Sequence, residues 1–316
     1  MFKRKALIVG IKGKSLTKDE KKLLQKDSPW GVILFSRNIS NIKQLKILIS
    51  SIKKLMKDKN YPILIDQEGG RVSRLNKLVD FNLFSQSYFG KLYKNNYKYF
   101  NVLYKIYIDH VSTILREVGI NINTVPVLDI YRKESHNVIG DRSFSDNPSI
   151  VSKIGNLCIE LYRKNKIATV VKHMPGHGLS KQDSHYKLPI VKNKKNYLIK
   201  MDFKPFKNCK SPFAMTAHIK YTAYDANFSA SHSKIVIKKV IRNHIGFKGL
   251  LISDDISMKA LKYGLRDNAI KALNAGCNLV LHCNGNIKEM RKLVKIVPII
   301  DKFTQKKTSH FYNFLG

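Results

Sequence analysis

GLLISD, Gly249 to Asp254, sets Leu250, Leu251 and Ile252 side by side and then stops on Ser253 and Asp254. A strand with one wet face alternates apolar and polar residues. An unbroken apolar run is the pattern of a strand buried on both faces, as in a parallel sheet. Seven further runs share this form: ALIVGI (6–11), GVILF (31–35), PILID (62–66), NTVPVLD (123–129), ATVVKH (168–173), FAMTAH (213–218) and NLVLHC (278–283). Helical patterns lie between them. TKDEKKLL opens on a capping-box pair, Thr17 and Glu20, and IKQLKILISSIKKLM carries apolar residues at helical spacing. NVLYKIYIDHVSTILREVG and SKIVIKKVIRNHIG end on Gly119 and Gly246, suitable stop residues. Eight alternations of strand and helix predict an α/β chain forming one (β/α)8 TIM-type barrel over residues 1–316, a fold that needs about 250 residues.

Six of the runs finish on polar side chains: Asp66, Asp129, Lys172 with His173, His218, Asp254 and His282. In a parallel barrel every strand C-terminus emerges on one rim, so these groups are expected to converge there. Hydrophobic residues at 43% suffice for a core of that size.

The formal charge of +36 suggests an anionic partner, yet Lys outnumbers Arg about fourfold and is scattered from end to end. Arg is the better fork for phosphates and base edges, so this pattern argues against specific nucleic-acid recognition. The apolar run Ala6 to Ile11 after the basic N-terminus is too short for a signal peptide or a membrane span. Cys158, Cys209, Cys277 and Cys283 show no CxxC spacing and read as reduced thiols. A monomeric, cytoplasmic protein without membrane attachment is expected.

The most chemical stretch is KHMPGHGLSKQDSHYKLP, Lys172 to Pro189. His173 and His177 have a zinc-like i, i+4 spacing with His185 as a third ligand, but Pro175, Gly176 and Gly178 disfavour the helix that spacing needs. A phosphate loop lacks its Gly-Lys-Ser/Thr ending. Acid/base chemistry remains: Asp183 can hold one nitrogen of His185 and leave the other to move a proton. ISDDISM adds two adjacent carboxylates at a strand end, one of which can attack a sugar anomeric carbon. Strand parity does not choose between Asp254 and Asp255.

KHMPGHG followed by DSH, with IDQEGGRVSR, VIGDRSF, MTAHI and GFKGLLISDDISM, resembles family 3 glycoside hydrolases, and most closely their bacterial β-N-acetylhexosaminidases of peptidoglycan recycling. GVILFSRN and NTVPVLDI match in the same order, so the resemblance runs from about Ala6 to Cys283. It implies a (β/α)8 barrel, retention of configuration, and neither cofactor nor metal. It also implies that Asp254 is the nucleophile, that His185 is the acid/base with Asp183 as its dyad partner, and that Asp255 supports Asp254. Asp66, Arg71, Arg142, Lys172 and His173 match positions that grip sugar hydroxyls and the acetamido group, and His218 matches a residue lining the site. Met174 departs from the family, where an aromatic residue is commoner. The chain ends about 30 residues after the last strand, as in compact single-domain members.

The activity this implies is release of terminal N-acetylglucosamine from cell-wall fragments in which that sugar is joined to an anhydro-muramic residue. An imidazole in place of a second carboxylate lessens repulsion of an anionic acceptor, so phosphorolysis is the nearest competing reaction. A polyanion-binding protein with a vestigial barrel is the alternative from another class, favoured by net charge alone.

Overall fold

The computed structural model describes residues 3–134, 137–184 and 186–316. Eight parallel strands close into a barrel: β1 (Lys5–Gly10), β2 (Pro29–Leu34), β3 (Ile63–Ile65), β4 (Ile122–Asn123), β5 (Ala168–Met174), β6 (Phe213–Thr216), β7 (Leu250–Asp255) and β8 (Leu279–His282). Each pairs with its sequence neighbours and β8 returns to β1. Seven of the eight apolar runs supply the body of a strand; NTVPVLD joins the barrel only at Asn123, the end of β4, with Val127 making an isolated bridge to Lys172 beyond it. β2 and β5 are buried along their whole length, as continuous rather than alternating apolar sequence requires.

The outer helices are α1 (Lys18–Asp27), α2 (Ile42–Leu55), α3 (Gln86–Asn95), α4 (Tyr97–Val118), α5 (Pro148–Lys164), α6 (Lys195–Lys200), α7 (Leu265–Ala275), α8 (Ile287–Ile296) and α9 (Lys302–Leu315). The Thr17/Glu20 capping box forms as the sequence predicts, and α4 stops at Gly119 with φ 90°. One element differs in kind: Val236–His244 is π-helical rather than α-helical. Gly246 follows it at φ 77°. Among the described residues no helix is long and apolar enough to cross a membrane.

Two register shifts bear on function. Between β7 and β8, Ile252 pairs with Leu279 but Asp255 with Leu281, so β7 carries one extra residue across Ser253 and Asp254. Between β5 and β6, Val171 pairs with Ala214 but Met174 with Thr216, leaving the extra residue of β5 at Lys172 and His173. Such bulges re-aim side chains at barrel rims.

Helix α3 fixes the rim segment that carries Arg142. Gln86 donates Nε2 to the carbonyls of Val127 (2.8 Å) and Arg142 (2.6 Å). Gly90, one turn on, lies so close to the segment that an added Cβ would fall on the Phe144 carbonyl. Gly90→Ala is therefore expected to destabilise the protein by about 3 kcal/mol and to raise KM, because α3 must back away from the chain holding Arg142. Thermal unfolding alongside steady-state kinetics tests this; an unchanged melting midpoint would remove the argument.

Candidate active site

At the C-terminal rim a cleft of about 280 Å³ is lined by Asp66, Glu68, Arg142, Lys172, His173 and Asp254 among others. Its floor is a buried four-charge network. Lys172 Nζ lies 3.1 Å from Asp66 Oδ1 and 2.7 Å from Glu68 Oε1, and it donates to Thr124 Oγ1 at 3.0 Å. Arg142 forks onto Glu68, with Nε to Oε2 at 2.8 Å and Nη2 to Oε1 at 2.9 Å. Thr124 donates its hydroxyl to Asp66, and Arg74 approaches the same carboxylate at 3.5 Å. Two carboxylates and two cations thus balance where a lone charge could not be tolerated.

Burial alone would raise both carboxyls. Lys172 and Arg74, with the bonds from Thr124 and Lys172, instead hold Asp66 well below the usual carboxylate range. Arg142 and Lys172 bring Glu68 down to about 2. Burial would likewise lower Lys172, but Asp66 and Glu68 more than offset it and keep the ammonium charged. The network is therefore fully ionised at neutral pH.

The sign of the pH dependence follows. Glu68 titrates lower in the folded state than its ordinary 4.5, so its stabilisation is complete above that value and is lost as pH falls towards 2. Glu68→Gln is expected to be markedly less stable than the parent at pH 7 and to show a narrower gap at pH 3. Urea unfolding at both values measures it; an equal gap at the two would refute the linkage.

A second buried group orients the β5 loop. The fully buried Asp129 meets His173 Nδ1 at 2.6 Å and accepts from the His177 backbone N–H at 2.6 Å. Desolvation, with repulsion from His173, lowers His177 to about 4, so it stays neutral, and its Nε2 lies 3.1 Å from Ser184 Oγ. The two histidines of the zinc-like spacing are thus engaged by Asp129 and Ser184. Among the described residues no group of three or more His, Cys, Asp or Glu side chains is placed to hold a metal. Asp183 is half-buried on the loop beyond, and its carbonyl accepts from the amides of Tyr186 (3.1 Å) and Lys187 (3.0 Å). His185 lies outside the described residues.

Across the cleft stand Asp254 and Asp255, both half-buried at the end of β7. The Asp255 amide donates to Asp254 Oδ1 at 2.8 Å. The Asp255 carboxylate is occupied by the Ser257 hydroxyl at 2.8 Å and the Cys283 amide at 3.4 Å. His218 sits beneath, fully buried, with Nε2 3.0 Å from the Asp255 carbonyl; it underlies the acid pair instead of lining the cleft. Desolvation lowers its pKa against the pull of Asp254.

The structure therefore brings together Asp66, Arg142, Lys172, His173 and Asp254. Arg71 is placed otherwise: half-exposed, it pairs with Asp141 at 2.6 Å and donates to the carbonyls of Asn137, Val138 and Ile139. It ties down the segment leading to Arg142, and Arg74 reaches the cleft in its stead. Sequence reasoning misses Glu68, Arg74 and Thr124. An acid next to two glycines directly after a strand was the available signal for Glu68.

Carboxylates held in contrasting environments at the C-terminal rim of a closed parallel barrel define an enzyme whose chemistry runs on placed charge and acid groups. Comparison with known proteins makes the class specific: the glycosyl hydrolase family 3 N terminal domain matches residues 5–308, and the chain belongs to that family. It is a glycoside hydrolase. A β-hexosaminidase of Actinobacillus pleuropneumoniae serotype 3 (strain JL03) is 35% identical over 295 residues, covering 88% of this chain and 81% of the relative. Among solved structures, NagZ from Neisseria gonorrhoeae in complex with N-trifluoroacetyl-D-glucosamine superposes with a TM-score of 0.85 at 30% identity, over 98% of this chain and 90% of that one. A family 3 β-N-acetylglucosaminidase from Paenibacillus sp. str. FPU-7 gives 0.84 at 27% identity; 98% of this chain matches, spanning 60% of that longer protein.

Proposed function

We propose that the chain is a retaining exo-β-N-acetylglucosaminidase that removes terminal N-acetylglucosamine from cell-wall fragments. The observation that carries this reading is the opposition, within one small cleft, of Asp254 to the Asp66, Lys172, Glu68 and Arg142 network. Fixed, ionised donors and acceptors on one wall suit the hydroxyl and acetamido groups of a single sugar ring. A carboxylate on the other suits attack at its anomeric carbon. The β-hexosaminidase relatives and the N-acylglucosamine held by the Neisseria protein support the same substrate class.

In this mechanism Asp254 adds to the anomeric carbon through an oxocarbenium-like transition state while His185, paired with Asp183, protonates the departing oxygen. The glycosyl-enzyme is then opened by water from which His185 takes a proton. The Asp255 amide steadies the Asp254 carboxylate, His218 holds the Asp255 carbonyl behind it, and His173, locked by Asp129, presents its ring to the cleft with its tautomer fixed.

The test is release of an aryl group from a β-N-acetylglucosaminide and from the matching β-glucoside, with and without phosphate. Turnover of the acetamido substrate alone is expected, at a rate independent of phosphate. Phosphate-dependent release would turn the reading into phosphorolysis, and no release from folded protein would set aside the glycosidase and favour polyanion binding.

A further inference from the structure

At the opposite end of the barrel the structure holds a second cavity that takes no part in this chemistry. It measures about 390 Å³, more than the cleft, and lies at the N-terminal mouth beside Ala168, Pro212 and Gly249, where β5, β6 and β7 begin. Helix α9 makes one wall and α5 another. The mouth itself is plugged by α9: Trp30 packs on Phe213 and Phe311, its Nε1 donates to Thr308 Oγ1 at 2.9 Å, and Lys166 Nζ reaches the Phe314 carbonyl at 3.1 Å.

The cavity's inner surface is Ile159, Ile167, Phe247 and Phe311, all buried, with Phe314 half-buried beside them. Its two hydroxyls are already used: Thr169 Oγ1 and Ser211 Oγ lie 2.9 Å apart, and Ser211 also donates to the Phe213 carbonyl. Among the described residues neither side-chain hydroxyl of the lining is left for a ligand, which disfavours a sugar here. The rim is different. Arg163, Lys210, Lys248, Lys307 and His310 surround the opening, and no carboxylate among the described residues lines it. Nearby Glu160 is taken by Lys164 at 2.8 Å.

We infer that this cavity binds a small anionic amphiphile, a single apolar chain lying against Phe247, Phe311 and Phe314 with a carboxylate-type head among the rim cations. A simple anion would use only the exposed rim, where each charge contributes little. A neutral chain would use only the floor. The two together favour a molecule with both parts, because burying an apolar chain drives entry while the head stays solvated and opposed to positive charge.

The sequence supplies its own reporter, since Trp30 is the single tryptophan and lies behind Phe311 at 6.5 Å between ring centroids. Titration of the intact protein with decanoate below its micellar range is expected to give a saturable change in Trp30 emission and a rise in melting midpoint that grows with ligand. Decanol should bind at least about tenfold more weakly. Reversing two exposed rim charges, Lys210→Glu with Lys248→Glu, should weaken decanoate about tenfold and leave decanol binding, glycoside turnover and the unliganded midpoint unchanged. The inference is overturned by no saturable response, by equal affinity for decanol, by indifference to the rim variant, or by inorganic phosphate giving the same response.

Discussion

Asp254→Ala is expected to lower kcat/KM on an aryl β-N-acetylglucosaminide by at least ~10⁴-fold, about 5.5 kcal/mol of transition-state stabilisation, in protein that remains folded. The proposed mechanism gives this carboxylate the covalent step, and the structure leaves no substitute. Asp255 is adjacent and lines the same cleft, but its carboxylate is held by the Ser257 hydroxyl and the Cys283 amide. Truncation to alanine opens a space the size of a small anion at the anomeric carbon. Added azide should therefore restore turnover and yield the α-configured glycosyl azide, a product that inverts once and so reports attack in place of the missing nucleophile. Asp255→Ala serves as the control. It should lose far less activity and give no azide product, since its effect passes through the position of Asp254. Were the azide adduct to form with Asp255→Ala and not with Asp254→Ala, the two assignments would exchange.

That ambiguity shows where sequence stops being informative. The barrel was legible because burial on both faces forces continuous apolar runs, and seven of the eight runs supply the body of a strand while NTVPVLD only touches the end of β4. The rim residues were legible as a set, because chain polarity alone sends Asp66, Lys172, His173 and Asp254 to one end. Which neighbour faces the substrate was not. Strand parity has a period of two, and β5 and β7 each break it with an extra residue where the chemistry sits. The same holds for Arg71 and Arg74. Gly69 and Gly70 adopt positive φ and turn the chain so that Gly69 bridges Val72, a local reversal that decides which arginine reaches the cleft. Glu68 was hidden for another reason: an acid balanced by two buried cations from distant segments looks, in one dimension, like any surface glutamate.

Lys172→Met should be the most costly change in the network, lowering stability by about 3–5 kcal/mol at pH 7. The thioether occupies a similar volume, so the loss is one of charge. In the parent, Lys172 and Arg142 neutralise Asp66 and Glu68. Without the ammonium, Glu68 keeps its Arg142 fork, whereas Asp66 keeps only the Thr124 hydroxyl and Arg74 at 3.5 Å. Asp66 then loses its strongest cation and is left to the more distant Arg74, so its folded-state pKa must rise from the depressed position it holds beside Lys172. The sign is definite: once pH falls below that raised value the variant's carboxyl takes up a proton, the burial penalty disappears, and the deficit relative to the parent shrinks. At about 2–4 °C per kcal/mol for a domain of this size, the shift should be plain in a thermal scan at pH 7 and smaller at pH 4. Adding Asp66→Asn to Lys172→Met should recover part of the lost stability, because it removes the poorly compensated carboxylate and leaves only the partly exposed Arg74 without its partner, while leaving turnover as low as in the single variant. A deficit below about 1 kcal/mol, or one that does not change with pH, would mean that Lys172 acts through packing and that the cleft floor is not held by its charges. Recovery of stability without recovery of activity would separate the network's two roles: the charge balance keeps the floor folded, and the individual ions, fixed before substrate arrives, recognise the sugar.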